Sequence, residues 1–313
     1  MAAIGVVCAR VRVEEKQLIA ALTDAGAVAM PLPPAPRPLP PSPTPPSAAS
    51  GIAADFDVAA DDAASVALLI DRCPNRAIAE AVLPIWRAQG KAVLDAGLAA
   101  TGTRLQVVQA LAAAGLPRPA TLLVCSEETA LEAVERLGYP ATLLPLTPGS
   151  ATAPLYDRDT AEAVIEHRVV LGDAREAISL VQAGVPDEAQ RFAVHVVDGQ
   201  AVAIDGRDGA VPADVLALAE RAALALEAAI IAVEVVTTPS GSVVWDVQPI
   251  AEFRRARSLG EVTLAEAIAR LALRRTSGNI KPAVQTSLSG METALAGRGW
   301  EVRDGVRGVA LSA

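Results

Sequence analysis

The sequence has few of the residue types on which several enzyme classes depend. Its 313 residues include two histidines, three cysteines and only 3% aromatic side chains. Cys8, Cys73 and Cys125 are far apart and form no CxxC pattern, so we expect reduced thiols rather than disulfides or a cysteine zinc site. A Ser/His/Asp triad would need His167 or His195, and the patterns around them favour a surface helix and a strand.

Long apolar segments and an excess of basic residues are absent as well. No apolar run reaches the roughly 18 residues of a membrane span, and the first residues lack the basic and apolar regions of a signal peptide. The net charge of -9 disfavours general binding to nucleic acid or to an anionic membrane. We therefore expect a cytoplasmic protein that binds neither nucleic acid nor membrane.

A large apolar fraction, 52%, is present and comes mainly from alanine, valine and leucine. This composition is typical of helices packed on buried strands. Near the N-terminus, short apolar segments alternate with helical patterns, which predicts βαβ units with a parallel sheet. From Pro31 to Pro46, ten of sixteen residues are proline. This segment predicts an extended surface loop, and a ligand for a proline-binding domain is the alternative.

Two apolar strand patterns late in the chain carry polar side chains. Glu234 lies in the first, and Asp246 and Gln248 lie on one face of the second, because side chains alternate along a strand. Residues 237–242 between them predict a hairpin connection. Oxygen atoms on adjacent strands suit Mg²⁺, which needs hard oxygen ligands. The alternative is that the carboxylates pair with residues 254–257 or with another base, since buried carboxylates need such partners.

The order of the predicted elements and several local strings resemble ATP-grasp carboxylate–amine ligases, in particular the LysX/RimK-like branch. The similarity extends over roughly residues 4 to 265. The strings that carry it are residues 10–16, 71–73, 112–119, 132–140, 157–162, 166–168 and 252–253.

The resemblance implies a mixed α/β and α+β protein, with the ATP-grasp fold and an N-terminal Rossmann-like domain. The implied parts are an N-terminal preATP-grasp βαβ domain (1–98, with the proline-rich loop 31–46), a central and lid subdomain (99–182), a C-terminal ATP-grasp subdomain (183–275) and a C-terminal extension (276–313). The partners implied are an amino acid or a carrier protein, and the protein is expected to form a homo-oligomer.

In such ligases ATP lies between two subdomains and phosphorylates a carboxylate, and an amine then attacks the acyl phosphate. Mg²⁺ and lysines neutralise the phosphate charge. The residues that the resemblance places at this site are Arg104, Gln182 and Arg191 for ATP and Glu234, Asp246 and Gln248 for Mg²⁺.

Several positions depart from the pattern of these ligases. Leu144 stands where a phosphate-binding lysine is expected, Arg104 replaces another lysine, and Ala183 replaces an acidic residue. Two prolines in the lid loop, 146–154, remove N–H groups that would bind phosphate, and the loop at 204–211 is short. These departures predict reduced or lost ligase catalysis. The alternative is a binding, regulatory or scaffold protein with the same fold.

Overall fold

The N-terminal part of the chain folds into a parallel sheet flanked by helices. In this computed structural model the described residues are 3–34, 66–171, 178–185, 189–206 and 210–277. The first elements are β1 (Ala3–Val7), α1 (Val13–Asp24), β2 (Val28–Leu32), β3 (Leu68–Asp71), α2 (Arg76–Ala88), β4 (Ala92–Leu94) and α3 (Leu98–Thr101). The strands lie in the order β2–β1–β3–β4, and all neighbouring pairs are parallel. The predicted parallel sheet is therefore confirmed.

Two prolines in this part behave differently from the sequence-based expectation. Pro31 was predicted to begin a loop, but it lies in β2 opposite Val6. β2 is an edge strand, and an edge tolerates a residue without an N–H group. The rest of the predicted loop, from residue 35 onward, lies outside the described residues. The sequence predicts a helix from Arg76 to Gln89 that is interrupted or kinked at Pro84. α2 starts after Asn75, whose side chain caps it, and continues without interruption through Pro84.

A second, antiparallel sheet follows in the middle of the chain. Its elements and the helix before it are α4 (Arg104–Ala113), β5 (Thr121–Val124), α5 (Glu127–Leu137), β6 (Ala141–Pro145), β7 (Ala153–Leu155), α6 (Arg158–Leu171) and β8 (Ser179–Ala183). The strands lie in the order β5–β8–β6–β7. The sequence predicts Ser126 as the cap of α5, and its side chain accepts a hydrogen bond from the Thr129 N–H. The sequence also predicts Asp159 as the cap of α6, which is wrong, because Asp157 accepts the hydrogen bond from the Thr160 N–H at 2.7 Å.

A third sheet of five strands completes the described part. Its elements and helices are β9 (Gln190–Val197), β10 (Gln200–Asp205), α7 (Ala213–Ala225), β11 (Ile230–Thr238), β12 (Gly241–Gln248), β13 (Ala256–Ser258) and α8 (Leu264–Ser277). The strands lie in the order β12–β11–β9–β10–β13 and are antiparallel. α7 packs with Val194 and Val233 on one face, and α8 packs with Val197 and Ile230 on the other.

The predicted mixed α/β and α+β architecture is present in these three sheets. The predicted hairpin also forms, as the turn between β11 and β12. The division of the chain after residues 98, 182 and 275 stays a prediction, and the predicted extension lies outside the described residues, apart from its first two positions. Within the described ranges, every helix is too short or too polar to span a bilayer.

Candidate functional site

The position of Arg104 is set by a helix start. The sequence predicts a helix from Gly102 to Ala114, and α4 (Arg104–Ala113) confirms it to within two residues. A separate short helix, α3, ends at Thr101 just before it. A Cβ atom at Gly102 would lie 2.7 Å from the Leu98 carbonyl oxygen, so this close approach requires glycine. Thr103 then caps α4, and its backbone N–H donates to the Gln106 side chain at 2.8 Å. Arg104 is thereby placed in the first turn of α4.

The guanidinium group of Arg104 donates hydrogen bonds only to protein oxygens. Its Nε and one Nη2 proton bind the two oxygens of Asp246, at 3.0 and 2.7 Å. The other donors bind the carbonyl oxygens of Pro145 (2.8 Å), Thr147 (3.0 Å) and Ser150 (2.9 Å). A guanidinium has five N–H donors, and these contacts account for all five. Arg104 therefore connects the lid loop to β12 through hydrogen bonds.

A β-bulge in β12 directs Asp246 toward Arg104. Glu234 lies opposite Asp246 and Val235 lies opposite Val244, so Trp245 is the additional residue. In a regular strand Val244 and Asp246 would share a face. The bulge separates them: Val244 joins the apolar core, whereas Asp246 forms a buried salt bridge with Arg104.

Glu234 and Gln248 form a second polar pair beside this salt bridge. Gln248 Nε2 donates to Glu234 Oε1 at 3.0 Å. Burial raises the pKa of Glu234, and the bond from Gln248 opposes that shift. Sequence reasoning offered residues 254–257 or another base as partners for the carboxylates. The base that pairs with Asp246 is Arg104.

Gln182 and Arg191 both contact Trp245. Gln182 is buried, and its Nε2 donates to the Trp245 carbonyl oxygen at 3.2 Å. The Arg191 guanidinium lies over the Trp245 ring, 4.6 Å from its centroid, which is a cation–π contact. Sequence reasoning did not single out Trp245. The available signal was the spacing of the apolar Val244 and the polar Asp246, which are two positions apart. A regular strand would place both side chains on the same face, so an apolar and a polar residue at this spacing indicate a bulge.

Described residues of the second and third sheets and of α4 surround a small cavity, and we call this place the closed cleft. Its cavity has a volume of about 20 Å³, with Arg104, Leu111, Leu144, Gln182 and Trp245 among the lining residues. That volume has room for about one water molecule. Leu144 is only 2% exposed, so its apolar side chain packs into the cleft.

The polar side chains at the closed cleft are paired with protein groups at the positions where the resemblance implies ATP and Mg²⁺. Every donor of Arg104 and both oxygens of Asp246 are used by the protein, and Leu144 carries no charge. Glu234 is paired with Gln248. Among the residues that the structure describes, no group of three or more His, Cys, Asp or Glu side chains is arranged to hold a metal ion. The predicted nucleotide and metal roles therefore stay predictions.

A larger cavity lies on the other side of the lid loop. Its volume is about 430 Å³, and it is lined by Arg12, by residues 74–77 at the start of α2, by residues 147, 149 and 150 of the lid loop, and by residues 248–250 and 252. We call it the loop pocket. A further groove of about 610 Å³ runs between α1 and α8, and its wall contains six alanines and polar residues that include Asp24, Glu266 and Arg270.

The two histidines lie where the sequence places them. His167 is exposed on α6. His195 is buried in β9, and its Nε2 lies 2.6 Å from Asp205 Oδ1. The strand interpretation of His195 is therefore confirmed, and neither histidine reaches the closed cleft.

Comparison with solved structures identifies the fold. A RimK domain ATP-grasp protein from Sphaerobacter thermophilus is 29% identical, with a TM-score of 0.66 over 87% of this chain and 100% of that chain. D-Alanine–D-alanine ligase from Bacillus anthracis, solved with ATP, is 12% identical, with a TM-score of 0.62 over 88% of this chain and 98% of that chain. No protein-family model matches the chain.

A third similar structure contains a peptide. The ATP-grasp ligase PsnB, solved with its precursor peptide PsnA2 and AMPPNP, is 18% identical, with a TM-score of 0.60 over 88% of this chain and 98% of that chain. Together these similarities confirm the fold that the sequence predicts.

Proposed function

Because the chain belongs to the ATP-grasp superfamily, we propose that it descends from RimK-like carboxylate–amine ligases, has lost their catalysis and acts by binding a ligand or partner. The observation that supports this best is the complete use of Arg104 by the protein itself. All five of its donors bind protein oxygens. A phosphate group would have to displace Asp246 or the lid-loop carbonyl groups.

Leu144 and the cavity volume support the same proposal. Phosphoryl transfer depends on positive charges that are positioned before the reaction. Leu144 is buried at the place where the resemblance implies a lysine, and the cavity of about 20 Å³ that it lines has no room for a nucleotide. Opening the cleft would also separate the buried salt bridge between Arg104 and Asp246.

Calorimetric titration with ATP and Mg²⁺ tests the proposal directly. We expect no heat of binding up to millimolar ATP and no ADP release, in protein whose fold is verified by circular dichroism. D-Alanine–D-alanine ligase from Bacillus anthracis, which was solved with ATP, is the positive control. Micromolar ATP binding that Asp246→Ala abolishes would refute the proposal.

An active ligase is the second candidate. It is favoured by the 29% identity with the RimK domain protein over 87% of this chain. It requires the lid loop to move and release Arg104. The assay is ADP release with a panel of amino acids, an acidic carrier protein and short peptides, because PsnB was solved with a peptide. ADP formation that depends on one of these acceptors would establish a ligase. Light scattering on the same samples would test the predicted homo-oligomer.

A further inference from the structure

The groove between α1 and α8 presents small side chains to the solvent. Its volume is about 610 Å³, and six of the fourteen residues that line it are alanines, which lie on both walls. The distance at which two helices pack depends on the side chains at their contact, so alanine permits a close approach. The groove therefore has room for a further helix to lie against both α1 and α8.

The face of α1 that borders the groove is suited to pack on a second copy of itself. Gln17, Ala20, Ala21 and Asp24 recur at helical spacing and line the groove. Val13 begins the same face and is 44% exposed. Contacts about a two-fold axis are mutual. In an antiparallel pair whose axis passes between Ala20 and Ala21, each Ala20 meets the other copy's Ala21, and each Gln17 amide meets the other copy's Asp24 carboxylate.

The two walls of the groove carry opposite charges that have not been used within the chain. Asp24 is the last residue of α1, whose last turn has no basic residue, although a helix C-terminus favours positive charge. Arg270 lies on the α8 wall. Both side chains are exposed, and within the described ranges neither forms an ion pair. Glu266, the other acid of the groove, accepts the Thr263 N–H at 2.8 Å.

We propose that the groove between α1 and α8 is the interface of a homodimer, in which α1 of each copy lies in the groove of the other. A second α1 in the groove touches both walls, so its Asp24 meets Arg270, and the symmetry forms this pair twice. The charge complementarity is thus that of the surface with itself, which favours a second copy over an unrelated protein. The inference goes beyond the proposed function, because the dimer requires neither ATP nor catalysis.

Sedimentation equilibrium of the full chain, without nucleotide, tests the inference. The experiment covers about 1 to 200 μM protein and detects a dimer Kd in the micromolar range. It uses about 0.15 M salt, which screens the long-range repulsion between two chains of net charge -9. We expect a dimer that dissociates on dilution. If the wild-type chain stays monomeric throughout, the groove has a different occupant and the proposal is wrong.

A matched pair of variants locates the interface. Ala20 is exposed and lines the groove, whereas Ala81 is exposed on α2 and lines neither the groove nor the loop pocket. Ala20→Arg places a bulky charge at the two-fold axis and should raise the dimer Kd by about a hundredfold or more. Ala81→Arg adds the same charge and should leave the Kd unchanged. Both alanines are exposed, so both variants should fold. A Kd that Ala20→Arg does not change would place the interface elsewhere and refute the assignment.

Two charge-reversal variants test the pairing of Asp24 with Arg270. Asp24→Arg alone and Arg270→Asp alone each bring like charges together across the interface, so each should be monomeric at concentrations where the wild type is a dimer. When the two variants are mixed in equal amounts, both contacts of the mixed dimer again join opposite charges. We expect the mixture to form this heterodimer with a Kd within about tenfold of the wild-type value. If the mixture stays monomeric, or if either variant alone dimerises as the wild type does, the proposed pairing is wrong.

Discussion

The closed cleft and the loop pocket share one wall, the lid loop, yet they differ in volume and in the use of their arginines. The cleft has about 20 Å³ and the pocket about 430 Å³. In the cleft all five N–H groups of Arg104 donate hydrogen bonds to protein oxygens. Arg76, which lines the pocket, has a buried Nε–H without a hydrogen-bond partner. An arginine thus indicates a binding site only where its donors are not already used by the protein.

The largest expected effect comes from removing the arginine of the closed cleft. Arg104→Ala leaves Asp246 buried without its partner and releases the lid loop, so we expect a loss of about 3 to 5 kcal/mol in the free energy of unfolding. Urea denaturation followed by circular dichroism measures it. Arg12→Ala at the loop pocket is the control. The side chain of Arg12 is 41% exposed, and its partner Glu15 keeps a second salt bridge with Arg72. The loss should therefore be smaller, about 1 to 2 kcal/mol.

A double variant sharpens this prediction. Arg104→Met combined with Asp246→Leu removes both charges and fills the space with apolar atoms. It should be more stable than Arg104→Ala, because replacing a buried pair by apolar side chains is often neutral or stabilising. If Arg104→Ala costs no more than Arg12→Ala, the cleft is not held shut by this salt bridge.

The next effect concerns the apolar packing of the cleft. Leu144→Ala should cost about 2 to 5 kcal/mol, since Leu144 is 2% exposed and its removal leaves a cavity. Leu123 lies on the edge strand of the same sheet and is 47% exposed. Leu123→Ala should therefore cost only about 1 kcal/mol. Equal losses for the two variants, measured by urea denaturation, would show that Leu144 is not packed in a closed cleft.

Removing the carboxylate of Glu234 should have a smaller effect on stability, and this effect should depend on pH. Burial raises the pKa of Glu234 above its ordinary value of 4.5. The ionised form is therefore disfavoured in the folded protein, and the resulting loss of stability grows as the pH rises through the folded-state pKa. Glu234→Gln should then increase stability at pH 7, with a gain that disappears below pH 4.5. Thermal unfolding across this pH range measures it, and a gain that is independent of pH would contradict the cause.

The smallest effect is expected in the loop pocket. Ala77→Trp adds a large side chain where open space exists, so stability should change by no more than about 0.5 kcal/mol. A loss of several kcal/mol in thermal unfolding would show that the pocket is not open in solution. Together with Leu144→Ala, this variant separates a packed space from an open one.

Much of the fold follows from local patterns in the sequence. The strand at 121–124, the cap at Ser126 and the hairpin between β11 and β12 depend on neighbouring residues, and all three are present. The errors are also local. Asp157 rather than Asp159 caps α6, because both acids lie near the helix start and only the backbone geometry selects one of them.

The candidate site could be predicted only in part from the sequence, because its contacts join residues that are far apart in the chain. Arg104 and Asp246 are 142 positions apart, and no local pattern specifies that pair. The sequence by itself determined which charges exist and which strands carry them, since propensity and alternation act over a few residues. Only the tertiary structure decided that the Trp245 bulge directs Asp246 toward Arg104. Opposite charges that folding buries together then pair with each other, because an unpaired charge out of contact with water is costly.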